Sequence, residues 1–518
     1  MLDTYLNNKF FTLYFFPFLL GSLSVFSFQP FNFSIINFFI MPFFFYLLIF
    51  IKKKSKGTYI IRPYKKNFFI FGTSFGFGFY LAGIHWINHS LTFDENFKIL
   101  IPFGLIIIPL FLSLFFSVII TFIGPLLNLD LKSIFFLSGS LAFSDYVRAK
   151  IFTGFPWNLW AYSFSWSSEL IQPVQNLGLF SFNLLCITIF MLPALIFLNI
   201  KFINKFVSLI VIVLILLTFY IYGSYKINKN KLFLNSVNET FNVKVISPNF
   251  SLEYGLPFQK IEERISKLIR YSEPDSRTKT LFVWPEGVFS GYSFREIEKL
   301  KKTFSNNFGA NHFILFGVNK YDKDENGPFN SLLIVNNKME IINEYKKQKL
   351  VPFGEFLPFE KIFKKFGLKK ITEGYGSFVS GRSQKNLILE NLNILPLICY
   401  EIIFSEFVQN SDVDTNLIIN ISEDGWFGNS LGPHQHFAKG IFRAIEQNSF
   451  LLRSANKGIT AIIDNKGLII KKLNLNEAGN IEIDVPLIKS SKRNKNDLIF
   501  FTLLITYILF FIFYKKKQ

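Results

Sequence analysis

From Phe10 to Ile51 the chain carries no charged side chain, and this stretch decides the solvent in which part of the protein must fold. A hydrocarbon core of roughly 30 Å needs about 20 helical residues, so the stretch is long enough for two crossings. Gln29-Pro30-Phe31-Asn32 interrupts it with turn-forming residues, which predicts two helices joined by a tight turn. The loop that follows, 52–66, holds Lys52, Lys53, Lys54, Lys56, Arg62, Lys65 and Lys66 without an acidic residue, the pattern of a cytoplasmic loop. The amino terminus is then expected on the same side.

Further spans are predicted at about 67–87, 99–123, 133–147, 175–199 and 206–224. The segment 133–147 is short, contains Gly and Ser, and ends in Asp145 and Arg148, so a re-entrant or interfacial segment is the alternative to a span. If it spans, seven crossings from a cytoplasmic start put everything after Gly223 outside the cytoplasm. The small loop with Lys201 and Lys205 fits that orientation. Leu498 to Tyr514 is uncharged and precedes Lys515-Lys516-Lys517, an eighth span that returns the chain to the cytoplasm. The first apolar segment runs directly into the second, so no cleavable signal is expected. The expected division is a membrane domain of seven transmembrane helices over 1–227, an extracytoplasmic domain over 228–490, and a C-terminal helix with a basic tail over 491–518.

The net charge of +19 follows the membrane segments. Lys and Arg cluster beside apolar runs, where they orient helices and meet anionic headgroups, so the charge is no argument for nucleic-acid binding. Two Cys residues, one of them (Cys186) in an apolar span, offer no disulfide framework, and any cysteine chemistry is that of a free thiol. From about 243 to 487 the texture changes to short apolar runs: Phe241 to Ile246, Leu281 to Trp284, Phe313 to Val318, Ser331 to Val335 and Ile394 to Ile398. These read as buried strands. The amphipathic stretches Gln259 to Tyr271 and Ser293 to Phe304 lie between them, the pattern of a layered α/β domain.

Cys399 directly follows Leu395-Pro396-Leu397-Ile398, where a strand end would present it outward; its plain alternative is a small buried hydrophobe. Val283-Trp284-Pro285-Glu286-Gly287 sets a carboxylate at another strand end, and Tyr345-Lys346-Lys347-Gln348-Lys349-Leu350-Val351-Pro352-Phe353-Gly354-Glu355 sets charge beside an apolar run. A thiol needs a base to attack, and acyl transfer needs a fixed positive group for the oxyanion, so Glu, Lys and Cys form a sufficient set. His85 and His89 are expected one helical turn apart near the outer end of the third span, a spacing able to ligate metal, but no third ligand is evident and an interfacial polar role fits better. No phosphate-binding or metal motif stands out, so no cofactor is implied.

At these residues the sequence resembles the nitrilase superfamily, which implies a four-layer α-β-β-α sandwich and a Glu-Lys-Cys triad. Leu350 to Glu355, Cys399-Tyr400-Glu401, Asp424-Gly425-Trp426-Phe427-Gly428 and Gly432-Pro433-His434-Gln435-His436 are similar to the apolipoprotein N-acyltransferase family. So are Arg148 with Gly154-Phe155-Pro156-Trp157-Asn158, and the order of seven spans, nitrilase-like domain and final span. The resemblance covers essentially the whole chain. It implies Glu286 as general base, Lys347 as oxyanion-stabilising lysine and Cys399 as nucleophile. Lys346 and Lys349 are then expected in solvent. It makes Glu355 a second essential carboxylate, for which a helix-capping or loop role is the alternative. Tyr400, Glu401, Trp426, Trp157 and Arg148 become pocket or substrate-binding residues, and His434 and His436 line or back the pocket.

The activity implied is transfer of an acyl group from a membrane phospholipid, through a Cys thioester, to the α-amine of a diacylglyceryl lipoprotein. The enzyme would be a monomer in the bacterial inner membrane, with its catalytic domain periplasmic and both termini cytoplasmic. Two departures mark this chain. Ser247 to Tyr254 stands where the family has a Gln-x-Asn-x-x-Gln…Lys-Trp run, and Glu423 and Gly425 stand where Asn and Ala or Ser are usual. A membrane-tethered nitrilase-type amidase and a non-catalytic polytopic protein are the competing readings.

Overall fold

The computed structural model describes residues 2–55, 63–198, 202–253, 255–289, 291–322, 325, 327–358, 377–382, 385–412, 414–488 and 496–514. Lys56, Arg62, Lys201, Tyr254, Lys515-Lys516-Lys517 and the expected 490–491 boundary lie outside the described residues. The chain forms two compact units, Met1–Tyr225 with Asn494–Gln518, and Lys226–Arg493.

Six helices among the described residues are long and apolar enough to cross a membrane: Ser34–Lys54, Tyr64–Thr92, Glu95–Leu126, Leu179–Phe197, Lys205–Leu234 and Asn496–Phe513. Two expected spans differ. The first is a shorter apolar helix, Phe11–Ser27, that passes through π, α and 3-10 turns. Pro17 at the start of its α-helical part has no N–H to donate, so the regular ladder cannot run through it. The other is a 20-residue helix, Leu131–Lys150, longer than predicted, whose first turn is capped by the Asp130 carboxylate accepting from Ser133 N at 2.9 Å. Its serines, Asp145 and Arg148 make it more polar than the six.

Those charges are buried and paired. Arg148 donates to Asp145 Oδ1 at 2.7 Å and to the Phe155 carbonyl, and its guanidinium lies 5.5 Å from the centre of the Tyr80 ring. Asn183 donates to Asp145 Oδ2 at 2.9 Å and accepts from Ala161 N at 3.0 Å. The cluster thereby holds the segment after the helix, in which buried Trp157 sits against Phe155 and Trp86 with ring centres 5.8 and 4.8 Å away. His85 and His89 fall in a 3-10 helix, His85–Thr92. At three residues per turn, positions four apart point to different sides, which removes the shared face a metal pair needs.

In the second unit, twelve strands among the described residues form two six-stranded sheets, ordered β12-β1-β2-β3-β4-β5 and β11-β10-β9-β8-β7-β6. The first contains β1 (Thr240–Ser247), β2 (Thr280–Val283), β3 (His312–Tyr321), β4 (Pro328–Asn336), β5 (Ile341–Lys346) and β12 (Gly479–Pro486). The second contains β6 (Leu387–Leu389), β7 (Leu392–Ile398), β8 (Leu417–Glu423), β9 (Phe450–Asn456), β10 (Thr460–Ile463) and β11 (Ile469–Leu473). β1, β2 and β3 run parallel, as do β7, β8 and β9.

The strand period of two sorts the side chains into layers. Val243, Val245, Leu281, Val283, Leu315, Leu332 and Ile334 meet Ile394, Leu417, Ile419, Leu452 and Ile462 in one core between the sheets. Ile246, Phe282, Trp284, Ile314, Phe316, Leu333 and Val335 face the other way, onto the helix Phe258–Ser272 and the helical segments between Phe294 and Asn307. Behind the second sheet lies the helix Gly432–Gln447, with Leu451 and Ile463 near Gly440. The result is the four-layer α-β-β-α sandwich. Strands buried on both faces explain why the sequence shows continuous apolar runs.

Breaking the Asp145–Arg148 pair from one side leaves a lone buried charge, which costs about 3–5 kcal/mol. Arg148→Met is therefore expected to lower the thermal midpoint of the detergent-solubilised chain, and adding Asp145→Asn to recover part of the loss, read by thermal unfolding.

Candidate active site

Three strand ends deliver the residues singled out in the sequence. Glu286 follows β2, Lys347 follows β5 and Cys399 follows β7. Alternation along β5 turns Tyr345 and Lys347 inward; Lys346 and Lys349 instead reach partly exposed partners, Asp322 and, at 3.0 Å, Glu406. The Lys347 side chain is 1% exposed. Its ammonium lies 2.9 Å from Glu355 Oε1 and 3.5 Å from Glu286 Oε1. Asn330, on β4, donates to both carboxylates, at 2.7 Å to Glu286 and 2.8 Å to Glu355. The other Glu286 oxygen accepts from the backbone N–H of Glu423 at 3.0 Å. Glu355 does two things at once: Oε1 takes Lys347, while Oε2 accepts from Val351 N at 2.8 Å and closes its own loop. The loop-carboxylate reading and the lysine-partner reading both describe it.

Cys399 sits at φ +49, a conformation an L-residue adopts only when its surroundings impose it. Ser422 Oγ donates to Asp424 Oδ1 at 2.7 Å. Burial and the nearby Glu286 charge push the thiol well above the ordinary cysteine range, and Lys347 offsets this only in part. Lys347 is held above the ordinary lysine range, because Glu286, Glu355 and Cys399 outweigh the burial that would lower it. Both shifts favour an ammonium beside a protonated thiol.

Two buried networks hold Cys399. Glu401 Oε2 accepts from Ile398 N at 2.8 Å, while Oε1 accepts from Tyr345 OH at 2.8 Å, Gln348 N at 2.7 Å and Lys349 N at 3.2 Å. This carboxylate therefore joins the segment carrying Lys347 to the one carrying Cys399. Burial pushes it up to about 7 against those hydrogen bonds. On the other side, His436 Nε2 lies 3.2 Å from the Cys399 carbonyl and Nδ1 3.0 Å from Asp424 Oδ1. Arg453 donates to Asp424 Oδ2 at 2.7 Å. Burial and Arg453 lower His436 to about 4, so the ring is neutral at pH 7.

Tyr400 packs its ring on Phe404 at 5.1 Å, and Trp426 lies half-buried in the turn Asp424–Phe427. Arg148 and Trp157 belong to the other unit, in the cluster described above. His434 is half-buried. Asn330 was missed in the sequence, although an Asn in the apolar strand Pro328–Asn336 was a signal. Asp424 and Arg453 were not singled out as a pair, because their contact joins β9 to the turn after β8.

A lysine, a carboxylate and a cysteine after three strand ends of an α-β-β-α sandwich, with a second carboxylate from the loop after β5, define a carbon–nitrogen hydrolase-type unit, in a chain that also carries a bundle of apolar helices. The carbon-nitrogen hydrolase family model matches residues 258–493, and the apolipoprotein N-acyltransferase N-terminal domain model matches 20–192. The apolipoprotein N-acyltransferase of Rickettsia typhi is 33% identical over 457 residues, 86% of this chain and 90% of that protein. That of Rhodopseudomonas palustris is 29% identical over 432 residues, 80% of each. A solved CN-hydrolase superfamily protein from Xanthomonas campestris aligns with a TM-score of 0.35 at 16% identity, over 48% of this chain and 91% of that one. The chain belongs to the apolipoprotein N-acyltransferase family.

Glu401→Gln replaces an acceptor oxygen with a donor that faces backbone N–H groups. A buried hydrogen bond to a charged group contributes about 1.5–3 kcal/mol, so the variant is expected to lose stability of that order in thermal unfolding.

Proposed function

We propose that this chain transfers a fatty acyl group from a glycerophospholipid, through a thioester on Cys399, to the α-amine of the S-diacylglyceryl-cysteine at a lipoprotein's amino terminus. The observation that carries the reading is Lys347, buried between Glu286 and Glu355 beside a thiol at φ +49. The family relationship over most of the chain supports the substrate class.

In the first half-reaction Glu286 takes the Cys399 proton as sulfur attacks the ester carbonyl. Lys347 stabilises the tetrahedral oxyanion. Collapse breaks the C–O bond, and Glu286 returns the proton to the departing lysophospholipid oxygen. In the second half the acceptor amine attacks the thioester, its proton passes by way of Glu286 to the Cys399 sulfur, and an amide forms. Tyr400 and Trp426 would border the pocket, and Arg148 and Trp157 would serve the lipid side of the reaction. Both substrates carry lipid anchors, so holding enzyme and substrates in one membrane raises their encounter rate. The proposed setting is the bacterial inner membrane, with Lys226–Arg493 outside the cytoplasm, both termini inside and the chain acting as a monomer. The thiol's raised protonation range favours a base-dependent mechanism over a preformed thiolate pair.

Mass spectrometry of the purified chain incubated with phospholipid is expected to find an acyl mass on the Cys399 peptide. Lys347→Met and Glu286→Gln should each slow its appearance by about 10²–10³-fold. Normal N-acylation of lipoprotein by Cys399→Ser would sink the mechanism. For orientation, a reporter joined after residue 230 is expected to work only outside the cytoplasm; activity inside would overturn the topology.

A further inference from the structure

After β5 the chain makes a tight turn from Val351 to Phe356. Glu355 N donates to the Val351 carbonyl at 2.8 Å, Phe353 N donates to the Phe356 carbonyl at 2.7 Å, and Glu355 Oε2 accepts from Val351 N at 2.8 Å. Phe353 holds φ +64 there, a conformation open to Gly and unfavourable for a bulky L-residue. Gly354 follows it and does not lie at positive φ, so the residue suited to that conformation stands one position later. Among the described residues of the second unit, Phe353 is the one aromatic side chain at positive φ. Burial does not account for it, because Phe353 is 44% exposed. Leu350, Val351, Pro352 and Phe356 flank it in the chain and are half-buried, which makes the turn an apolar rim. That rim is built on the acid that holds Lys347, since Glu355 Oε1 lies 2.9 Å from the ammonium.

We propose that Phe353 is a specificity-determining residue whose ring packs against the hydrocarbon chain of a lipid that reacts at Cys399. Backbone strain persists at a site where it aims a side chain that the reaction uses. Here it aims an apolar ring outward from a turn whose carboxylate faces inward, onto Lys347. Bringing an ester carbonyl to Cys399 draws the first methylenes of its chain out of membrane hydrocarbon, and apolar contact beside the site offsets that loss. Polar groups at the reacting end with apolar side chains alongside are the composition of a site for such a ligand. Two lipids bring a chain of this kind: the phospholipid donor, and the diacylglyceryl group of the acceptor. The inference rests on the proposed acyl transfer through Cys399.

The test measures the rate of thioester formation on Cys399 from dihexanoyl and from dipalmitoyl glycerophospholipids of one headgroup, at equal mole fraction in the same detergent micelles. Phe353→Asn removes the ring and keeps a residue that tolerates positive φ. The ratio of long-chain to short-chain rate is expected to fall at least about fivefold in Phe353→Asn, the effect of losing contact with one or two methylenes. It is expected to recover in Phe353→Leu, and the thermal midpoint of Phe353→Asn to stand at or above that of wild type, because the backbone strain is relieved. In a second arm the preformed thioester meets a lipopeptide carrying a dihexanoylglyceryl or a dipalmitoylglyceryl group, and the same ratio is read for amide formation. A fall in the first arm assigns the contact to the donor chain; a fall in the second arm alone assigns it to the acceptor. An unchanged ratio in both arms overturns the inference, because a turn that only positions Glu355 slows long and short chains alike. If Phe353→Asn does not fold, Phe353→Gly, which takes positive φ freely, faces the same criterion. A wild-type chain that forms no thioester from either phospholipid sinks the proposed function and the inference with it, which an unchanged ratio does not do.

Discussion

The catalytic unit is organised around a lysine that has no water. An ammonium 1% exposed is sustained only by carboxylates, and Lys347 has two, Glu286 and Glu355. Each carboxylate is itself bound by Asn330, so lysine, amide and two acids form one unit in which no member is satisfied alone. That requirement explains why the ends of β2, β4 and β5 converge. Burial and the Glu286 charge together raise the neighbouring thiol above the ordinary cysteine range.

Around this centre the backbone is held by buried hydrogen-bonding side chains. Glu401 binds four donors from two chain segments and so ties the Lys347 loop to the Cys399 turn. His436, Asp424 and Arg453 support the Cys399 carbonyl from behind. A left-handed cysteine persists because both sides of it are clamped. The membrane unit follows the same rule in an apolar setting, where Asp145 neutralises Arg148 and Asn183 completes the hydrogen bonding.

Much of this was legible in the sequence, for identifiable reasons. Strands buried on both faces write themselves as apolar runs, so β1 to β4 and β7 lay where the runs predicted. Local irregularity was harder. The mixed helix Phe11–Ser27 and the 3-10 segment His85–Thr92 depend on where Pro17 falls and on how neighbouring turns pack, which composition does not encode. Asn330 was overlooked because its meaning comes from Glu286 and Glu355, residues distant in sequence.

The sequence by itself determined the kinds of chemistry available and their presentation: apolar spans, strand ends carrying Glu286 and Cys399, and a period of two that puts Tyr345 and Lys347 on one face. Only the tertiary structure decided that this face is the dry one, that Glu355 closes its loop and binds Lys347 together, and that Glu423 fills the space left by Gly425. The reason is physical. A buried charge is defined by its partners, and those partners arrive from strands and turns that the linear order keeps apart.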